Sequence, residues 1–382
     1  MTRPLSAVLS AFAFFGTFWG VFAVLLADLT RALDLSPGPL GVALFVGALA
    51  SILSMAAFGW TSDILGRRLF IVLSAAVFGM GIVGLALAGN YGMLIAALVV
   101  LYASSGLFDV GINAAAVDVE RVSGRRVMAY FHASFSAGGF LGAVSAGILL
   151  SAGLRYEFVY LIVLVPLAAI MAALVTTNFP SSGESSESSA SPASLSGRYA
   201  LFANGPLLLV AAIATLGLLS EGEMEHWSGI YLRETLGLSA LVGGSGVAVF
   251  FGAMAVGRLG AAWAIEKFGN RATLLVAGSL TAFGMTTSLA TTEPFLVVAG
   301  FLFVGLALSA VVPIAFSMAG DLAPEKAGAA VSVVTTLGYG GFLMGPVFVG
   351  GLAEVFGLRL ALATISVAGV AIFILSLRLR KV

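Results

Sequence analysis

The sequence predicts an all-α membrane protein, with twelve transmembrane helices arranged as two six-helix bundles related by a pseudo-two-fold axis. Three observations carry this expectation. Hydrophobic residues make up 60% of the chain and charged residues 9%, with a mean hydropathy of +1.10; a soluble domain has about 25% charged residues. The apolar residues also gather into runs near the ~20 residues that a helix needs to cross a bilayer. Finally, one charged turn, Gly59-Trp60-Thr61-Ser62-Asp63-Ile64-Leu65-Gly66-Arg67-Arg68, returns as Glu266-Lys267-Phe268-Gly269-Asn270-Arg271 in matching register. Asp63 aligns with Glu266, Gly66 with Gly269 and Arg68 with Arg271, as a duplicated bundle requires.

Taken in order, the expected spans are 7–29, 40–61, 69–89, 92–117, 127–150 and 157–176, then 204–231, 239–264, 272–291, 294–319, 327–353 and 359–377. The first is read as a retained helix: Arg3 alone precedes it, and no small-residue cleavage site leads into a polar mature domain. Most connections are short, as antiparallel neighbours allow. The exception is the serine-dominated stretch 181–197, which has no apolar periodicity and is expected to be a flexible tether. This gives an N-terminal bundle over 1–176, a cytoplasmic linker over 177–203 and a C-terminal bundle over 204–382. The halves match again at Asp118 and Asp321, and at Gly138-Gly139-Phe140-Leu141 and Gly340-Gly341-Phe342-Leu343.

Charge placement predicts orientation. Of 18 Lys and Arg residues, Arg31, Arg155, Arg233 and Arg359 fall on one side and Arg258 lies within a span; the others, including Arg125, Arg126, Arg198, Arg380 and Lys381, gather on the side of the termini. The positive-inside rule then puts both termini in the cytoplasm of a multi-pass protein, expected in a bacterial inner membrane. A formal net charge of zero argues against a nucleic-acid partner, and the absence of cysteine rules out disulfides and thiolate metal sites. No metal or cofactor is expected.

The turn between the second and third spans resembles the hallmark of the major facilitator superfamily, G-x-x-x-D-[R/K]-x-G-R-[R/K], with Gly59, Asp63, Gly66, Arg67 and Arg68 in place and Ile64 at the usual basic position. The second copy has Lys267 at that basic position and Asn270 where an arginine would stand. The resemblance implies a secondary transporter whose Asp63, Gly66, Arg67 and Arg68 act as a conformational switch, with Glu266, Lys267 and Arg271 as a mainly structural copy. Asp118, Asp321 and Glu325 are acids available to these bases.

Ionisable groups within spans are costly, at least about 2.5 kcal/mol at mid-bilayer, and so mark function. Asp109 and Asn113 share a face of the fourth span. His132 stands at a similar depth on the fifth, where an antiparallel hairpin would bring it to Asp109 as a proton-carrying pair, with a neutral structural histidine as the alternative. Gly106-x-x-Asp109-x-x-x-Asn113 resembles a motif of the fucose:proton symporter-like branch, which implies that Asp109 takes the proton and Asn113 touches substrate. That branch also has an acid deep in its first helix; here Asp28 sits at the end of the span, where a solvated role is expected. The seventh span carries Glu221, Glu223, Glu225 and His226. Helical spacing groups Glu221 with Glu225, and Glu223 with Trp227. Glu221 is the expected cavity acid, with Glu225 and His226 as water-exposed residues of the mouth. Arg258 needs an acid, either Glu221 or Asp109, or an anionic substrate. Trp19 and Tyr339, ahead of Phe15, Tyr102 and Tyr130, are candidate substrate rings.

The expected function is movement of a small organic solute, sugar-like or another polar metabolite, by proton-coupled alternating access in a monomer lodged in the lipid bilayer. Two alternatives remain: efflux of amphipathic compounds, weakened because 142–147 lacks the proline of drug antiporters, and a non-transporting sensor. No nucleophile–base pair points to an enzyme.

Overall fold

A computed structural model describes residues 2–124, 127–179 and 204–379. Arg125, Arg126, Arg198, Arg380, Lys381 and the whole serine-dominated stretch 181–197 lie outside the described residues. The helices in chain order are α1 Thr2–Ala32, α2 Pro37–Phe58, the short α3 Thr61–Leu65, α4 Arg67–Ala86, α5 Tyr91–Ser123, α6 Met128–Ser151 and α7 Tyr156–Val175. There follow α8 Gly205–Ile230, which ends in a π-turn over Tyr231–Thr235, α9 Ala240–Ala290, α10 Pro294–Leu322, α11 Ala327–Phe356, the short α12 Leu358–Ala361 and α13 Ala363–Leu377. Among the described residues, eleven helical segments are long and apolar enough to cross a membrane. One of them, α9, breaks at Gly269 and supplies two of the expected spans, so the described residues provide helices for all twelve.

The two copies of the charged turn fold alike. Gly66 has φ 76°, ψ 151° and Gly269 has φ 79°, ψ 162°, a region that essentially only glycine occupies. Nothing lies within 4 Å of a Cβ built on Gly66, so the backbone angle alone requires glycine there.

The chain forms two compact units, one of Met1–Ser182 with His226–Gly252 and the other of Gly183–Glu225 with Ala253–Val382. The first unit thus holds more than the first six spans: it also takes the end of α8, the π-turn and the start of α9. Its central contact is α1 against α6. A Cβ on Gly16 would sit 1.8 Å from the Phe135 carbonyl oxygen and one on Gly138 1.9 Å from that of Ala13, with Gly20 and Gly142 repeating the pattern. Small residues let the two backbones touch, the usual device where lipid removes the hydrophobic drive for association. On its other side α1 presents Phe14, Phe15 and Phe18 to Phe78, with Phe18 and Phe78 centroids 4.7 Å apart. The segment 226–252 docks through the same small-residue logic: Gly229 on Ala23, Gly244 on Ala143 and Gly147.

In the second unit, Gly217 of α8 packs on Val311 of α10, and Gly341 of α11 on Thr215 of α8. Gly278 and Gly369 bring α9 and α13 into backbone contact.

Candidate functional site

The charged turn is organised by Arg67. Its guanidinium donates to Asp118 Oδ2 at 2.8 Å, Ser62 Oγ at 2.8 Å and Asp63 Oδ1 at 2.6 Å. Asp118 is 6% exposed and Asp63 is 74% exposed, so the buried acid anchors the arginine while Asp63 keeps most of its surface open. Arg68 reaches the end of α7, donating to the Val175 carbonyl and Asn178 Oδ1, both at 3.5 Å. Arg271 does the same at the end of α13, bonding the Ser376 and Leu377 carbonyls. Both satisfy carbonyls that a helix C-terminus leaves without amide donors. Lys267 stands over the rings of Trp263 and Phe268, 4.9 and 5.4 Å from their centroids, and Glu266 is exposed. With Asn270 in place of an arginine, the second copy lacks the residue that gathers acids in the first.

Inside the first unit, Asp109 and Asn113 lie one turn apart on α5. Asn113 Nδ2 donates to Asp109 Oδ1 and to its carbonyl oxygen, each at 2.9 Å. Both residues are half-buried, and among the described residues no cationic side chain bonds the Asp109 carboxyl. His132 is exposed on α6 with its ring edge-on to Phe12, 5.5 Å between centroids. The glycine seam that draws α6 along α1 sets this placement.

Trp19 is half-buried among Phe15, Phe18, Phe22 and Tyr102, the last at 5.0 Å. Tyr102 Oη lies 2.9 Å from His226 Nε2. His226 is only 3% exposed, which corrects the expectation of a water-exposed mouth residue: the π-turn and Gly229 fold the end of α8 inward against α1 and α5. The charges at the ends of α1 and α8 are Asp28, Arg31, Arg233 and Glu234. Arg233 forms a two-oxygen ion pair with Asp28, and Arg31 pairs with Glu234. Arg233 is 7% and Asp28 16% exposed, so Asp28 is not a solvated surface acid. A cavity of about 390 Å³ lies beside this network, also lined by Arg155, Tyr156 and Glu157. The sequence carried a signal for it, since charges of both signs end the first and the seventh spans.

In the second unit, Arg258 Nη2 donates to Glu221 Oε1 at 3.0 Å, with side-chain exposures of 23% and 13%. Of the two acids offered to Arg258, Glu221 takes it. Glu225 is half-buried one turn along α8. Glu223 is fully buried against α13, where Thr364 Oγ1 lies 2.8 Å from Oε2. Tyr339 is 49% exposed on α11.

The profile of the Major Facilitator Superfamily matches residues 8–259 and 227–382, together most of the chain. The chain belongs to this superfamily. An uncharacterised MFS-type transporter of Yersinia pestis is 30% identical over 356 residues, covering 93% of this chain and 90% of the relative. The membrane protein MosC of Rhizobium meliloti is 28% identical over 372 residues, 97% of this chain and 89% of the relative. Among solved structures, a variant of the nucleoside transporter NupG aligns with TM-score 0.83 at 12% identity, covering 98% of this chain and 99% of that one. The D-xylose-proton symporter aligns with TM-score 0.78 at 15% identity, covering 98% and 96%. This MFS protein is therefore a multi-pass membrane transporter and not an enzyme.

Proposed function

We propose that this MFS transporter moves a small polar organic solute, sugar-like in its hydroxyl-rich chemistry, by proton-linked alternating access. The observation that supports this reading most is the Asp109–Asn113 pair. A carboxyl within a span, held by a neutral amide and, among the described residues, by no cation, is suited to exchanging a proton, while Asn113 offers an amide that hydroxyl groups recognise. Glu221 and Arg258 form a second intramembrane polar cluster, able to open when a solute competes for either partner. Trp19, exposed Tyr339 and exposed His132 are the further candidates for cargo and proton contact. The functional bundles are taken as 1–176 and 204–382, with the charged turns on the cytoplasmic side of an inner-membrane monomer.

The test is uptake into proteoliposomes of a panel of radiolabelled sugars, nucleosides and amphipathic cations, with and without an imposed inward proton gradient. Gradient-stimulated accumulation of a hydroxyl-rich solute is expected. Accumulation only of amphipathic cations, or none that responds to the gradient, contradicts the reading.

A further inference from the structure

Glu223 is the one acid of α8 that faces away from its acidic neighbours and into packed protein. Its exposure is 0%. On one side lies α13, through Thr364; on another lies α11, where a Cβ on Gly345 would come within 3.8 Å of Glu223 Cγ. The hydrogen-bond inventory around this carboxyl is short. Oε2 is 2.8 Å from Thr364 Oγ1, and Oε1 has no partner among the described residues.

Thr364 makes this informative. Its hydroxyl lies 2.7 Å from the Ala361 carbonyl oxygen as well as 2.8 Å from Glu223 Oε2. A threonine hydroxyl carries a single proton, and a backbone carbonyl can only accept. If that proton goes to Ala361, an ionised Glu223 is left with no donor at all in a fully buried site. If it goes to Glu223, one neutral donor must hold an entire buried carboxylate, and the Thr364–Ala361 contact is left without a proton. Either arrangement leaves a buried anion without the paired charge it needs. A protonated Glu223 satisfies every contact at once: its O–H donates to Thr364 Oγ1, Thr364 donates to Ala361, and the unpartnered Oε1 is the neutral carbonyl oxygen of the acid.

The nearby charges do not alter this count. On α8 itself, Glu221 is engaged with Arg258, and Glu225 lies two positions along on the other face. Arg359, at the start of the α12–α13 segment, donates to the carbonyls of Leu289 and Thr291. On α11, Glu354 and Tyr339 are both exposed, whereas Glu223 is fully enclosed.

We propose that Glu223 is a proton-binding site on the packed back of α8, holding a resident proton shared with Thr364 and separate from Asp109 and from the Glu221–Arg258 pair. The site lies two residues before the point where α8 passes from one compact unit to the other. A movement of α8 that lets water reach this carboxyl frees the proton, so the site links the docking of α8 on α13 to proton uptake. It stands whether or not Asp109 couples transport to protons.

The experiment is infrared difference spectroscopy of the purified full-length protein in lipid at neutral pH, comparing wild type with Glu223→Gln and Thr364→Val. A carboxylic-acid C=O stretch is expected in the wild type, absent from Glu223→Gln and shifted in Thr364→Val, where the acid loses its acceptor. No protonated-carboxyl band that disappears in Glu223→Gln overturns the proposal. Should Glu223→Gln not fold, Thr364→Val decides alone: a shifted band supports the site and an unmoved one overturns it.

Discussion

Each titratable side chain inside the spans is held differently, and the differences predict different responses to mutation. Arg258 and Glu221 are both largely buried, so removing Arg258 strands the Glu221 carboxylate. Arg258→Met is expected to destabilise by about 3–5 kcal/mol, whereas the double change Glu221→Leu with Arg258→Met should fall much closer to wild type. Melting temperatures in detergent check this, and equal losses in the single and double variants contradict it. Helical spacing made part of this legible: Glu221 and Glu225 on one face, Glu223 and Trp227 on another. Which face meets a neighbouring helix is not written in the spacing of one helix. It depends on Gly345 and Thr364, more than a hundred residues away, and for that reason the buried acid escaped notice. His226 escaped for a related reason, because its partner Tyr102 sits on a different helix and neither residue belongs to a local motif.

At the scale of helices, glycine serves two separable purposes. Gly66 is required by its backbone angles and touches nothing, so Gly66→Ala should cost about 1–3 kcal/mol through strain alone. Asparagine should not rescue it, since ψ 151° lies outside the left-handed helical region that asparagine tolerates. Gly16 has ordinary helical angles but no room: a Cβ meets the Phe135 carbonyl at 1.8 Å, and backbone cannot step aside as a side chain can. Gly16→Ala should therefore cost at least as much. Thermal melts of the two variants separate strain from crowding, and a Gly16→Ala protein as stable as wild type would refute the close α1–α6 seam. The spans were readable because length and composition suffice to define them in lipid. The repeated turn was readable because its glycine and charges sit in fixed register. The α1–α6 seam was not, because α1 and α6 are far apart in sequence and a glycine in an apolar run looks the same whether or not another backbone lies against it.

For the whole molecule, the informative feature is that residues 226–252 belong with the first compact unit and are pinned to it by the Arg233–Asp28 ion pair and the Arg31–Glu234 pair. Under the proposed alternating access, this clamp is expected to open during the cycle. Asp28→Asn, which leaves the nearly buried Arg233 without its anion, should destabilise this clamped form by about 3–5 kcal/mol, and the swap of Asp28→Arg with Arg233→Asp should recover part of the loss. Because the chain has no cysteine of its own, Asp28→Cys and Arg233→Cys can be joined by a short thiol-reactive cross-linker. Joining them should stop solute exchange; exchange that continues unabated shows that the clamp need not open.

In the proposed function, Asp109 is the group that carries the driving proton. Proteoliposomes bearing Asp109→Asn, assayed for gradient-driven accumulation and for solute exchange without a gradient, test it directly. Accumulation is expected to be lost while exchange persists, because asparagine keeps the bond with Asn113 and cannot carry a proton. Accumulation at the wild-type level in Asp109→Asn would contradict it.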